Sequence, residues 1–389
     1  MQWIDGMDRI AAPRWEALDW PADSPFLSWN WLRLLESSGS VGPGTGWTPM
    51  HLLARRGDRL VGAAPLYRKD HSEGEFVFDH ALARLAGQAG IPYYPKLVGM
   101  SPFSPAGCYR FATAPDEDAP ALHRIMLDRI LERAGTEGMG AVQCNYVDPD
   151  WALAHGEDFW LRERGFMAWK HQSYVWENPG YAGFGEFLAA MRHGPRRNIR
   201  RERAAVRRAG VEVRMVQGED APESWFGLMH DFYAATNARF GPWHCKYLTR
   251  EFFLGLAGPL RRAVVFAAAL RPGRDLPMAL SLFAHGAGSL YGRYWGYAEH
   301  VPLVHFECCY YAPMQWAIER GLRRFDPGIG SEHKARRGFR AVPNLSVHRV
   351  ANDGLRSLLA LHENEINAAE AAWLDELNGL SPYKRDASA

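Results

Sequence analysis

Cysteine is scarce in this 389-residue chain, which has five: Cys108, Cys144, Cys245, Cys308 and Cys309. An odd, irregularly spaced handful excludes a disulfide-stapled scaffold and suits a reducing compartment. Long apolar runs are missing too. None approaches the roughly 18 residues that a membrane-spanning helix needs. The first 30 residues mix charged residues and proline without an apolar core, so no signal peptide is expected. A cytoplasmic setting follows as an expectation. Net charge is nearly nil, with 45 Lys and Arg against 44 Asp and Glu. Overall charge therefore selects no partner.

Several chemistries lack their signatures. The chain has no G-x-S-x-G elbow, no H-E-x-x-H and no C-x-x-C. Serine hydrolase and zinc chemistry thus have little support, and no metal ligands are expected. GPGTG at 42–46 lacks the Lys-Ser/Thr that completes a phosphate-binding loop. No tightly bound cofactor is expected.

What is present describes a globular α/β protein. Hydrophobic residues make up 47% and charged residues 23%, enough for sizeable cores. The length suits about two domains of roughly 150 residues each. Periodicity predicts a helix at 29–36 and a hairpin of strands 50–54 and 60–68 turning at Arg56-Gly57-Asp58. It then predicts a helix at 120–134, a strand at 141–146, a helix at 151–164 and a strand at 167–176. A second pass of similar rhythm follows. Helices are predicted at 184–191, 195–209, 224–239 and 304–320. Strands are predicted at 211–216, 263–270, 279–284, 289–295 and 324–326. The expected fold is two α/β domains, each a mixed sheet flanked by helices, spanning 1–170 and 171–389.

Residues 195–209 read PRRNIRRERAAVRRA. At 100° per residue, Arg196, Arg197, Arg200, Arg201, Arg203, Arg207 and Arg208 share an arc of about 160°. Ile199 and Val206 lie opposite and can dock. Solvated helix faces usually interleave acids at i,i+4. The only acid here, Glu202, points away from the arc. Something anionic is expected opposite: a phosphate backbone, a phosphorylated cosubstrate or the acidic segment 363–376. Phosphate matches the guanidinium fork.

The densest chemistry lies in 291–339. It holds Arg293, Tyr294, His305, Glu307, Tyr310, Tyr311, Glu332, His333 and Lys334. His305 and Glu307 invite reading as a dyad, but two helical positions place them about 200° apart. Glu307 aligns with Tyr311, Met314 and Ile318; His305 aligns with Cys309 and Trp316. Pro313 is expected to kink this helix. Cys308 and Cys309 read as small apolar groups. Gly328 and Gly330, ahead of Glu332-His333-Lys334, let backbone approach a ligand closely. Tyr93–Tyr94 and Tyr294–Trp295 are candidate pocket walls.

The segments GRYWGYAEHVPLVHFECCYY and EHKARRGF, with SEGEFVFDHA at 72–81, YYPKL at 93–97, PFSP at 102–105 and RRNIRRER at 196–203, resemble the FemAB-like group of N-acyltransferases. The resemblance runs from about Trp20 to Val350. It implies a tandem pair of GNAT-type acyltransferase folds. It also implies transfer of an acyl or aminoacyl group to the amine of a small molecule, peptide or peptidoglycan precursor, forming a peptide-type bond. The implied cosubstrate is aminoacyl-tRNA or acyl-CoA. Lys334 matches the basic residue that lies near the donor in relatives. Two departures stand out. No Q/R-x-x-G-x-G/A pyrophosphate loop precedes the helix at 304–320, and the long coiled-coil arm of some Fem enzymes is missing.

Aminolysis needs a neutral amine, oxyanion stabilisation and a proton for the leaving group. Glu307 or His305 is the expected base. Lys334 and backbone N–H groups near 294–296 are expected to stabilise the oxyanion or the donor phosphate. Tyr310 or Tyr294 is the expected proton donor. Arg293, Trp295, Tyr93, Tyr94, Lys96, Glu332 and His333 are the expected substrate-binding residues, with Arg293, Lys96 and Tyr94 holding the acceptor. Arg196, Arg197, Arg200, Arg201 and Arg203 are expected to bind donor phosphates or tRNA.

Overall fold

The computed structural model describes residues 1–77, 79–160, 164–241, 245–330 and 332–384. The chain forms two compact units. One holds 1–21, 26–171 and 343–371; the other holds 22–25, 172–342 and the chain from 372 onward. The chain passes from the first unit to the second between His171 and Gln172. Residues 343–371, expected in the second domain, fold with the first. The cause is the strand Arg340–Val350, whose end pairs antiparallel with Ala141–Cys144, Val347 opposite Cys144 and Val350 opposite Ala141.

In the first unit the strands Trp47–Pro49, Leu66–Lys69, Lys96–Gly99, Ala141–Cys144 and the end of Arg340–Val350 lie side by side in that order. Lys96–Gly99 and Ala141–Cys144 run parallel; the other neighbours are antiparallel. Every residue of these two central strands is buried, as expected of a sheet covered on both faces. Lys69 pairs with Lys96, Val98 with Gln143, and Gln143 with His348. Because side chains alternate along a strand, Lys69, Lys96, Gln143 and His348 share one face. A smaller sheet joins Gln2–Ile4, His51–Arg56, Arg59–Ala64 and Ala112–Thr113. The expected strand at 60–68 is split between the two sheets at Pro65, which has no N–H to offer a ladder. Helix Ala119–Thr136 starts at Asp118, which accepts the Ala121 N–H at 3.1 Å, with Pro120 in its first turn. The helix expected at 151–164 runs Pro149–Trp160; positions 161–163 lie outside the described residues.

In the second unit Glu212–Gln217, Val264–Leu270, Ala279–His285 and Ser289–Tyr297 form an antiparallel ladder. Arg324–Asp326 joins it parallel to Ser289–Tyr297 and pairs in turn with the end of Met167–Glu177. A parallel neighbour requires a crossover, here the helical stretch from Val304 to Glu319. The arginine helix, His193–Arg208, docks through buried Ile199 and Val206, as its arc requires. The acidic segment at 363–376 belongs to a 27-residue helix, Asp353–Gly379. Among the described residues no helix is long and apolar enough to cross a membrane.

Candidate functional site

The crossover helix is not uniform. Val304–Phe306 and Ala312–Glu319 are α-helical, and Glu307–Tyr311 between them is a π-turn. Pro313 removes the N–H that would bond to Cys309, which weakens the α ladder at this point. A π-turn widens the helix and is frequent at functional sites. Here it presents His305, Cys309 and Tyr310 to one cavity while Glu307 lines none of it.

The facing strand is irregular too. Leu282 pairs with Tyr294 and Phe283 with Gly292, so the register steps over Arg293. Such a bulge bends the strand and re-aims its side chains. Between bulge, π-turn and the loop after Asp326 lies a cavity of about 160 Å³. Ser281, Arg293, Tyr294, Trp295, Ile329 and Lys334 also line it.

Lys334 is the buried cation of this cavity, 4% exposed. Its Nζ donates to the carbonyls of Gly328 at 2.6 Å and Ile329 at 2.7 Å. An ammonium has three N–H groups, so among the described residues one has no acceptor. The loop is shaped for this grip. Gly328 sits at φ 79°, and a Cβ on Gly330 would come within 3.0 Å of Nζ. Burial lowers the Lys334 pKa to about 8, with Asp326 pulling the other way. Burial raises Asp326 in turn, opposed first by the Arg293 guanidinium. Asp326 also accepts the Gly328 N–H at 2.7 Å, fixing the loop.

Around this ammonium stand groups of opposite tendency. Burial keeps the Tyr294 and Tyr310 hydroxyls protonated far above their ordinary range. His305 packs edge-on against Trp295 at 5.3 Å and Tyr310 at 5.6 Å. Packing, then Lys334, Arg337 and His333, hold its pKa below the ordinary value, although one side of the residue stays exposed. These neighbours disfavour a charge on the ring. Burial lifts the Cys309 thiol to about 12, and its Sγ lies 3.0 Å from Ser281 Oγ.

Glu307 is placed elsewhere. Its carboxylate is clasped by Arg203, with Nη2 to Oε1 at 2.8 Å and a side chain 8% exposed. A buried, paired carboxylate outside the cavity is not positioned to take a proton there, which corrects its expected role as base. Arg203 is corrected with it: Glu307, Gln315 at 3.0 Å and the Phe184 ring already occupy the guanidinium. Glu202 is held by Arg337, which also donates to Tyr311 at 2.8 Å. Arg197, Arg200, Arg201, Arg207 and Arg208 are exposed, and Arg196 is half-buried. Among the described residues, no acid closes on any of these six.

Glu332 and His333 are exposed beside the cavity; Glu332 pairs with Arg336 at 3.3 Å, and His333 leans on Phe306. In the first unit, Tyr93, Tyr94 and Lys96 belong to a polar network. Tyr93 donates to Asp79 at 2.6 Å, and Tyr94 shares a hydrogen with Ser72 at 2.7 Å. Lys96 is fully buried between Glu75 at 2.7 Å and Asp79 at 2.6 Å. Its ammonium is thereby taken up. A wider groove of about 600 Å³ around Trp176, Tyr181, Phe339 and Tyr383 contains none of the expected residues.

Sequence reasoning passed over Cys309 and Ser281 in the cavity wall, and Asp326, which fixes the adjoining loop. The i,i+4 alignment of His305 with Cys309 was the available signal. It also passed over Glu75 and Asp79, four positions apart just ahead of Tyr93–Lys96.

The family profile described as FemAB-like, peptidoglycan biosynthesis/recognition, matches residues 6–385. No curated protein matches the chain. Among solved structures, FemX is similar with a TM-score of 0.53 and 13% identity, covering 93% of this chain and 100% of FemX. The C-terminal domain of a protein described as a lysylphosphatidylglycerol synthetase from Agrobacterium fabrum is similar with a TM-score of 0.52 and 13% identity. That likeness covers 91% of this chain and 95% of the domain. At such identities the likeness is one of fold. The fold is α/β, with mixed sheets flanked by helices.

Proposed function

The chain belongs to the FemAB-like family, and from that premise we propose that it is an N-acyltransferase whose transfer site is the cavity beside Lys334. The observation that carries the reading is the meeting of a strand bulge, a π-turn and a buried lysine around about 160 Å³. The donor is an activated acyl or aminoacyl group, with aminoacyl-tRNA favoured. The acceptor is the amine of a small molecule, peptide or cell-wall precursor.

In this mechanism the acceptor nitrogen attacks the donor carbonyl carbon. The carbonyl electron pair moves to oxygen, and Lys334 stabilises that oxyanion with its remaining N–H. The attached ammonium sheds a proton to neutral His305, directly or through water. A weak base suffices, because nitrogen bonded to the tetrahedral carbon is far more acidic than a free ammonium. The C–O or C–S bond then breaks, the leaving atom takes a proton from Tyr310 or Tyr294, and the proton on His305 passes, directly or through water, to that tyrosinate, restoring both groups. No covalent enzyme intermediate is needed. The exposed arginines support a phosphate-rich donor.

The test supplies purified protein with mixed aminoacyl-tRNA or short acyl-CoA donors and a panel of primary amines. Acyl transfer from aminoacyl-tRNA that Lys334→Ala abolishes is the expected result. Transfer from acyl-CoA alone moves the donor assignment to CoA. No transfer from either, with salt-sensitive tRNA binding retained, overturns the enzyme reading in favour of a binding module.

A further inference from the structure

Acyl transfer in the second unit leaves a buried polar network in the first unit without a role. Four adjacent strands deliver Lys69, Lys96, Gln143 and His348 to one sheet face. Glu75 and Asp79 meet that face, and both side chains are fully buried. The Lys96 ammonium has four acceptors for three N–H groups. They are Glu75 Oε2 at 2.7 Å, Asp79 Oδ2 at 2.6 Å, Ser72 Oγ at 3.0 Å and Gln143 Oε1 at 3.2 Å. It has nothing left for an anion.

The acceptors are in the opposite condition. Among the described residues, Glu75 Oε1, Asp79 Oδ1, both ring nitrogens of His348 and Nε2 of His171 have no hydrogen-bond partner. Buried polar atoms rarely stay unpaired. Lys69 stands 4.0 Å from Glu75 Oε1 and donates instead to the Glu73 carbonyl at 3.0 Å. Burial keeps the imidazoles neutral, His171 near a pKa of about 4 and His348 about 3. A neutral imidazole offers a lone pair as well as an N–H. The open positions are thus chiefly acceptors, and a multiple donor completes them. Among the described residues no three His, Cys, Asp or Glu side chains are grouped to hold a metal ion. The network also reaches a rim. Trp169 packs at 5.0 Å from His171 and 5.4 Å from His348, and Trp169, His171 and Tyr94 are only half-buried.

We propose that these buried groups bind a primary ammonium group through Glu75 Oε1, Asp79 Oδ1 and a ring nitrogen of His348, reached past the half-buried Trp169 and Tyr94. Three N–H donors meet three acceptors: the Asp79 carboxylate gives a charge-assisted bond, and the incoming cation favours the ionised form of Glu75, which burial raises to about 7. Aromatic rings at the rim favour a cation over a neutral group. The proposal concerns binding in the first unit and does not depend on acyl transfer in the second.

Calorimetric titration of the full chain tests it, with n-butylammonium and 1,5-diaminopentane as probes. 1-Butanol supplies one O–H without charge; tetramethylammonium supplies charge without N–H. Saturable binding of both amines and of neither control is expected, weakened at least tenfold by Glu75→Gln. If Glu75→Gln does not fold by circular dichroism, Trp169→Leu is expected to weaken binding at the rim in its place. No saturation up to about 50 mM amine, equal binding of butanol, or unchanged affinity in the folded variants overturns the proposal. A crystal soaked with amine that shows ordered water alone at Glu75 and Asp79 overturns it as well.

Discussion

Arg203 clasps Glu307 along one edge of its guanidinium, with Nε at 3.0 and 3.1 Å from the two carboxylate oxygens and Nη2 at 2.8 Å from the nearer. The pair ties the arginine helix to the π-turn, so Glu307 acts as a strut. Removing one partner strands a largely buried charge. Arg203→Ala is expected to lower stability by about 3 kcal/mol, and Glu307→Gln by less, because an amide oxygen still accepts from Arg203. Urea unfolding measures both. Turnover separates strut from catalyst. Glu307→Gln should keep kcat/KM within about threefold, where loss of a general base costs 10²–10⁴. A hundredfold loss at unchanged stability would restore Glu307 to the mechanism.

Lys334 gives activity and stability opposite responses to alkali. Its folded pKa of about 8 lies below the ordinary 10.5, so the ammonium persists through neutral pH and is lost above 8. A rate that needs the ammonium should fall as pH rises past 8. The unfolded chain holds this proton more tightly. The Lys334 contribution therefore raises stability between pH 8 and 10.5. Lys334→Met should remove both responses and slow kcat/KM by about 10² or more. A pH–rate profile beside a pH series of Tm values reads both. An unchanged alkaline limb in Lys334→Met would dismiss the oxyanion role.

Much of the fold was legible from periodicity, and the reasons are visible in particular elements. The arginine helix announced its docking face through Ile199 and Val206, both buried. The crossover at 304–320 read as a helix because its apolar spacing is helical on either side of the π-turn. The π-turn itself was not legible, since one inserted residue changes facing without changing composition. That is why Glu307 passed for a candidate base: its partner, Arg203, lies 104 positions away. Local acids on the helix were the only ones that sequence spacing could weigh. The return of 343–371 to the first unit was hidden for a similar reason. Strand Arg340–Val350 pairs with residues some 200 positions earlier, and no local signal encodes such a partner.

His348 makes the first unit acid-labile. Burial drives its folded pKa to about 3 against an ordinary 6.5. The unfolded chain therefore binds the proton preferentially as pH falls through 6.5. Stability from this group is complete above 6.5 and declines steadily toward 3. At pH 5 the loss is about 2 kcal/mol. Thermal unfolding of wild type from pH 7 to 4 should show that decline, and His348→Gln should flatten it by a comparable amount. An equally steep acid limb in the variant would mean that His348 is already charged in the folded protein.

The arginine row should reveal its partner through salt. Arg197, Arg200 and Arg201 are exposed and share one face of the helix, so replacing them leaves the core untouched. The triple Ala variant should unfold within about 0.5 kcal/mol of wild type for each position changed. If the row holds a phosphate backbone, tRNA affinity in wild type falls linearly in log–log form with salt. Each phosphate contact contributes a slope of about 0.7 to 0.9, so the variant should lose roughly two units of slope along with affinity. Arg203→Ala offers an internal control, because its charge is already spent on Glu307: the slope should barely move while stability drops. Filter binding of tRNA across a salt series measures all three proteins. Equal slopes in wild type and the triple variant would remove the row from donor recognition.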